Sequence, residues 1–446
     1  MKSLFLVALT LALFGQIGFT QEKITFTIEE AKAYALENHL SVAKAENSIE
    51  IARQQVVETR GMGLPQVEFN GSFNHFVNLP VQVMDAKFLN PMAPEGATVS
   101  FEAGTEFSSS GTLQASQLIF NGSYLIGLKA ASFFANFQES VAKQTKEDIA
   151  FNVIQAYQLA AVAKANLSFS DSLITSTAQL IEKQQHFLDM GMIIQEDMDQ
   201  LNYSLLTVQS VRTSAEIQYQ NALAMLKLAM GYPMNESIEI EDSTDQLLTK
   251  SSLGGKGDFR NNISFEILEK QVRLSEFNVK NTQFANWPSL SAFFQHTYNA
   301  YRNEFNFFAD EKWYPQTLWG LQLNIPIFSG LSRHARTAQA KIKLKNDQNS
   351  IEQLEQSLQF QELQLKNNLR GAETKFELQK ENVRLAKSIY DNSIIQESIG
   401  KGNSLIVTQK HNQLLQAQAQ YIGSMIELFQ AKLSIDKLYN NITPSK

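Results

Sequence analysis

Four segments of this chain alternate between apolar and polar residues, and each borders a helical stretch. From Val67 the odd positions are Val67, Phe69, Gly71, Phe73, His75 and Val77, with Gln66, Glu68, Asn70, Ser72 and Asn74 between them. A period of two puts one set of side chains on each face of a strand. Before Gly122, Val99, Phe101, Ala103, Phe107, Leu113 and Ala115 are interleaved with Ser100, Glu102, Glu106, Ser108, Thr112 and Gln114. The pattern recurs over Leu290, Ala292, Phe294 and Tyr298, and again over Thr317, Trp319, Leu321, Leu323 and Ile325. Each segment exceeds the roughly nine to eleven residues with which a tilted strand crosses a bilayer. An apolar face turned to lipid and a polar face lining water account for the pattern, and Trp313, Trp319, Tyr298 and Tyr301 suit an aromatic girdle.

The strands come as two isolated hairpins, each embedded between helices, so neither buries its apolar face against a sheet of its own. Four strands do not close, and open edges are not tolerated in hydrocarbon, so several copies must complete the barrel. Two copies give eight strands, with an interior filled by side chains. Three give twelve and leave a passage, which favours a trimer.

The second half repeats the order of the first. A helix over residues 27–60 leads to Leu64-Pro65, and one over 263–284 leads to Trp287-Pro288. Strands are expected at about 65–77 and 97–121 in one half, and at about 288–301 and 313–328 in the other. Gln117-Leu118-Ile119-Phe120-Asn121-Gly122 and Ile325-Pro326-Ile327-Phe328-Ser329-Gly330 close the strand segments, so that Pro65, Gly122, Pro288 and Gly330 mark the strand–helix junctions. Long helices follow over 123–190 and 331–398, each on the order of 100 Å if unbroken. Each ends at a glycine site, Gly191-Met192 and Gly400-Lys401-Gly402-Asn403, before a shorter helix over 197–230 or 404–440. Apolar positions such as Ile149, Val153, Ala156, Tyr157 and Ala160, or Leu354, Leu358, Leu363 and Leu365, recur at three- and four-residue steps, as in coiled-coil packing. The repeats thus cover 21–230 and 261–440, joined by a loop-rich linker at 231–260 and followed by a tail at 441–446. The expected fold is mainly α with a membrane β part: long helical hairpins, four strands per chain toward a trimeric twelve-stranded barrel, and internal duplication.

Residues 1–20 read as a secretory signal: a basic start, an apolar run from Leu4 to Phe14, and small residues before Gln21. No later stretch of eighteen apolar residues occurs, so no transmembrane helix is expected. Of 446 residues 43% are hydrophobic and 19% charged, which excludes intrinsic disorder. The net charge of -7, without a basic run, argues against nucleic acid as a partner. With no cysteine, disulfides, thiolate metal sites and thiol nucleophiles are excluded. The six histidines, 39, 75, 186, 296, 334 and 411, are not at metal-ligand spacing and read as scattered loop or helix-surface residues. No phosphate loop, nucleophile elbow or clustered acid and histidine set is visible, so neither an enzyme nor a cofactor is expected.

The chain resembles the TolC family of outer membrane efflux proteins over essentially its whole mature length. The resemblance rests on the opening Thr27-Ile28-Glu29-Glu30-Ala31-Lys32-Ala33-Tyr34-Ala35-Leu36-Glu37-Asn38, on the two junction motifs around Gly122 and Gly330, and on their duplicated order. It implies a homotrimer in the outer membrane of a Gram-negative cell, a large periplasmic helical part, and docking to a periplasmic adaptor and an inner-membrane pump. It further implies passive conduction, with a gate at the helix turns farthest from the membrane and adaptor contact at Gly191, Met192, Gly400, Lys401, Gly402 and Asn403. At the first turn Glu196, Asp197 and Asp199 are gate and selectivity candidates, since three copies would ring an aperture with like charge. Each would equally suit the start of a helix as a cap. The second turn departs from the family pattern: Ile406 and Gln409 stand where some members carry acids, and residues 400–410 hold no carboxylate. The alternative reading is a periplasmic coiled-coil spacer or adaptor without a conduit.

Overall fold

The computed structural model describes residues 24–250 and 257–443. The signal at 1–20, the centre of the linker and the last residues of the tail lie outside the described residues. The described residues form two compact units, one from those up to Ile49, within Gln138–Glu269 and from Asn349 onward, the other from Glu50–Phe137 and Lys270–Gln348.

The first unit begins with β1 (Ile24–Phe26), which leads into α1 (Ile28–Asn38), and four of the helices that follow in the chain run on into residues of the second unit. Thr27 and Glu30 form a reciprocal capping box, which satisfies amides that a helix start leaves free. The helix expected over 27–60 is two helices, because His39 takes an extended conformation and accepts the Ser41 amide on Nδ1 at 3.1 Å, starting α2 (Leu40–Gly61) afresh. The long helix α3 (Gly122–Asp189) and α4 (Gln195–Met230) follow close to their expected bounds. The linker expected as loop holds β6 (Ile238–Ile240), which pairs in parallel with β1, and then α5 (Thr244–Lys250). After α6 (Ile263–Phe284) and the second strand segment come α7 (Ser332–Ser398) and α8 (Ser404–Leu438).

The core of this unit confirms the periodicity of α3. Ile149, Val153, Ala156, Tyr157 and Ala160 are all buried, among Phe26, Ile28, Leu226 and Phe429. The alanines leave room for close helix packing. Of the α7 positions, Leu358 is buried and Leu354 and Leu365 pack beside it, but Leu363 is exposed. One polar station ties the β1–β6 pair to α3. Tyr157 Oη donates to Phe26 O at 2.8 Å and accepts from Asp242 N at 3.1 Å, while Asp242 Oδ2 accepts the Ile28 amide at 2.8 Å.

In the second unit, β2 (Gln66–His75), β5 (Phe107–Asn121), β7 (Ser289–Arg302) and β8 (Tyr314–Asn324) form one antiparallel sheet in that order. The two hairpins are therefore not isolated, since β5 and β7 pair from Phe107↔Arg302 to Asn121↔Ser289. The strand expected over 97–121 is broken at residues 103–106 into β4 (Thr98–Glu102) and β5, and β4 pairs with an unanticipated β3 (Val81–Asp85). The strand expected to 328 ends at Asn324, ahead of Pro326, which has no amide to give a ladder.

Replacing Tyr157 with Phe keeps the packing and removes the hydroxyl on which two buried backbone groups converge. We expect a loss of about 1–3 kcal/mol, read as a lower chemical-denaturation midpoint of the full chain; an unchanged midpoint would remove Tyr157 from the account of stability.

Candidate functional site

The register of the sheet sorts its side chains into two faces. Rows cross all four strands: Val67–Ala115–Phe294–Trp319 and Phe69–Leu113–His296–Thr317 lie on one face, Asn70–Thr112–Thr297–Gln316 and Ser72–Ser110–Asn299–Tyr314 on the other. A slip of register between Leu118 and Phe120 accommodates an extra residue and brings Phe120 opposite Leu290 and Leu323, extending the apolar rows. Trp319 is 77% exposed and Phe69 71%, with Val67, Leu321 and Leu323 also exposed. On the polar face hydroxyls meet across strands: Ser72 and Ser110 Oγ at 2.8 Å, Thr112 and Thr297 Oγ1 at 3.0 Å. An outward apolar face opposed to a hydrogen-bonded polar one is the arrangement of a barrel wall between lipid and water.

Aromatic groups mark both ends of this sheet. At the end of β2, His75 stacks on Phe107 at 4.4 Å, and Phe73 meets Phe305 and Phe307 edge-on, with Trp313 beyond. At the other end Phe284 stacks on Trp287 at 4.7 Å, beside Phe120. Tyr298, Tyr301 and Trp313 fall near the first end as expected, whereas Trp319 is in mid-strand opposite Phe294.

The four junction residues stand where strands meet helices. Pro65 and Pro288 immediately precede β2 and β7, and Gly122 opens α3 against Phe284. Gly330 precedes α7 in a left-handed conformation, φ 58°.

Both helix turns in the first unit use one device. Gly191 N bonds Leu188 O and Met192 N bonds Phe187 O; Gly400 N bonds Glu397 O and Lys401 N bonds Gln396 O. These paired bonds close a helix when the next residue is left-handed, and Gly191 and Gly400 have φ of 69° and 72°. Asn403 caps α8 by accepting the Leu405 amide at 2.7 Å. At the start of α4, Asp197 reaches the Ile194 amide at 3.5 Å and so acts as a cap, Asp199 accepts from Gln195 Nε2 at 2.8 Å, and Glu196 is exposed. Met192, Ile194, Ile399, Leu405 and Ile406 are exposed apolar residues around the two turns.

Three groups in this unit escaped the sequence reading. Glu397 is buried, three residues before Gly400, and accepts Ser404 Oγ at 2.6 Å while its Oε2 has no partner. Gln184 donates to the Glu397 carbonyl at 3.1 Å. A side chain at Gly402 would strike the backbone of Glu397, which explains the glycine there. His411, expected on a helix surface, is 1% exposed beside Tyr390, and neither ring nitrogen has a partner. Burial pushes its pKa down to about 4. Nothing in the sequence distinguishes Glu397 from exposed acids, whereas His411 does stand four residues after the buried Val407 and three before the buried Leu414.

Two acids are shifted the other way by burial: Glu147 up to about 7, against the pull of Lys437, and Asp436 up to about 6, against Lys432. For these, the folded pKa lies above the unfolded one, so their stabilising contribution is complete below about pH 4 and disappears as pH rises through 6 to 7. His411 has the opposite sign: its neutral form is favoured, and stability falls as pH drops from 6.5 toward 4. Glu147→Gln should therefore stabilise the chain at pH 8, by on the order of 1–3 kcal/mol, and have little effect at pH 4. Thermal unfolding at both values checks this; an equal shift at both would contradict it.

Residues 260–441 match the family model described as outer membrane efflux protein. No curated protein matches the chain. Among solved structures, CusC, described in terms of transmembrane channel formation, is similar with a TM-score of 0.71 and 16% identity, over 96% of this chain and 95% of that one. The open state of the MtrE outer membrane channel of Neisseria gonorrhoeae gives 0.69 and 14%, over 92% and 88%. The CmeC outer membrane channel of Campylobacter jejuni gives 0.66 and 14%, over 96% and 91%. The resemblance read from the sequence holds: the second half carries the efflux-protein signature, and the helix-rich chain has the fold of these outer membrane channels. The matched family is one of efflux proteins, not of enzymes.

Proposed function

From the efflux-protein signature of residues 260–441 and the channel fold, we propose that three copies of this chain form an outer membrane conduit. The observation that carries this reading is the four-stranded sheet, apolar on one face, polar on the other, and, among the described residues, unpaired at the outer edges of β2 and β8. Three such sheets make a twelve-stranded barrel, whose interior has room for a passage. The equal lengths of α3 and α7, 68 and 67 residues, and of α4 and α8, 36 and 35, support an internal duplication, with repeats at 21–230 and 261–440. Their helices would form the periplasmic part.

Conduction in this reading is passive. An inner-membrane pump supplies the energy and a periplasmic adaptor docks at the helix turns, where Gly191, Met192, Gly400, Lys401, Gly402 and Asn403 present backbone turns and exposed apolar side chains. Contacts that favour the open arrangement shift the gate. Glu196, Asp197 and Asp199 from each copy would place negative charge around the aperture and favour cations. Glu196 and Asp199 are the more exposed of the three, with Asp197 half-buried beside the Ile194 amide.

Glu196→Gln with Asp199→Asn should therefore move the cation-to-anion permeability ratio of channels in planar bilayers several-fold toward unity. The conductive path itself should persist. An unchanged ratio would remove these residues from the gate, and recovery of the protein as a soluble single chain from fractionated cells would reject the conduit.

A further inference from the structure

The β2–β5 hairpin does not stop where the membrane sheet ends. Phe76 N donates to Glu106 O at 2.7 Å and Ala103 N to Pro80 O at 2.9 Å, so the two segments stay side by side through a short irregular stretch. They re-form as β3 and β4, paired from Val81↔Glu102 to Asp85↔Thr98. Among the described residues this ribbon joins no other sheet. A two-stranded ribbon is marginal in water unless something covers it, yet Met92 is 91% and Phe88 82% exposed, with Val77, Val81, Val83 and Leu89 exposed as well. So many exposed large apolar side chains on one hairpin signal a partner. Asp85, Lys87, Glu95 and Glu102 are scattered through the same ribbon, which suits a protein surface and not acyl chains.

Strand direction identifies the partner. β2 is one free edge of the sheet and β8 the other, and the antiparallel order makes them run in opposite directions. Edges of two copies can therefore pair as antiparallel neighbours, like every other pair in the sheet. The end of β2 that leads into the ribbon then meets the start of β8, which follows the loop at residues 303–313. That loop is itself exposed and aromatic: Phe308 is 94% exposed, and Phe305 and Tyr314 are exposed beside it.

We propose that the β3–β4 ribbon is a clasp between copies of this chain, the ribbon of one copy seating on the 303–313 loop of the next. The inference rests on the oligomeric barrel proposed above and adds to it a contact outside the membrane strands. Methionine and β-branched side chains of the ribbon would pack on Phe308 and on the open side of Phe305, which also meets Phe73 and Phe107 of its own chain.

The test places a photoreactive benzophenone amino acid at position 83 or 88 of the full chain and irradiates the purified protein in lipid vesicles. The expected result is a covalent two-chain band whose cross-linked peptide covers 303–314, and loss of that band when residues 303–312 are replaced by a Gly/Ser segment of equal length. Adducts only to lipid or within one chain, in particles whose mass is still that of several chains, would overturn the clasp and leave the barrel standing. Particles of a single chain would overturn both.

Discussion

The proposed conduit depends on one constraint: a backbone amide or carbonyl at the edge of a sheet has no water to turn to inside a hydrocarbon layer. The sheet of this chain satisfies its interior ladders from β2 to β8 and, among the described residues, leaves both outer edges unpaired. Its apolar face adds a second demand of the same origin, since rows such as Val67–Ala115–Phe294–Trp319 need an apolar solvent. Water satisfies only the polar face, where Ser72, Ser110, Thr112 and Thr297 already hydrogen-bond across strands. A lipid surround and further copies of the sheet meet all three conditions together.

The helical unit solves a different problem, how to end long helices and reverse the chain. Gly191, Gly231, Gly400 and Asn440 each take a left-handed conformation, and the same pair of backbone bonds closes the helix before each. Inside this unit burial disfavours charge: it pushes the pKa of His411 down to about 4 and those of Glu147 and Asp436 up to about 7 and about 6. The buried carboxylate of Glu397 beneath the second turn ties the end of α7 to Ser404 at the start of α8.

Much of this was legible in the sequence because two periodicities survive in it unchanged. The alternation from Val67 to His75 maps onto one face of β2, and the steps from Ile149 to Ala160 map onto the buried face of α3. What was hidden depended on contacts between distant residues or on single side chains. The capping of α2 by the His39 ring, the pairing of β1 with β6 within an apparent linker, and the burial of Glu397 and His411 leave no periodic trace. β3 was missed because its partner β4 read as the start of β5, and only the break around Gly104, with φ of 121°, separates them. At the first turn the acids stand at a helix start as the sequence reads, and Asp197 lies 3.5 Å from the Ile194 amide.

The central claim is that the oily rows and the bare strand edges of one chain are completed by lipid and by sister chains. Native mass spectrometry of the full-length protein released from detergent micelles tests it most directly. The account predicts particles of three chains that precipitate when detergent is withdrawn. A particle of one chain that stays monodisperse in plain buffer would contradict it.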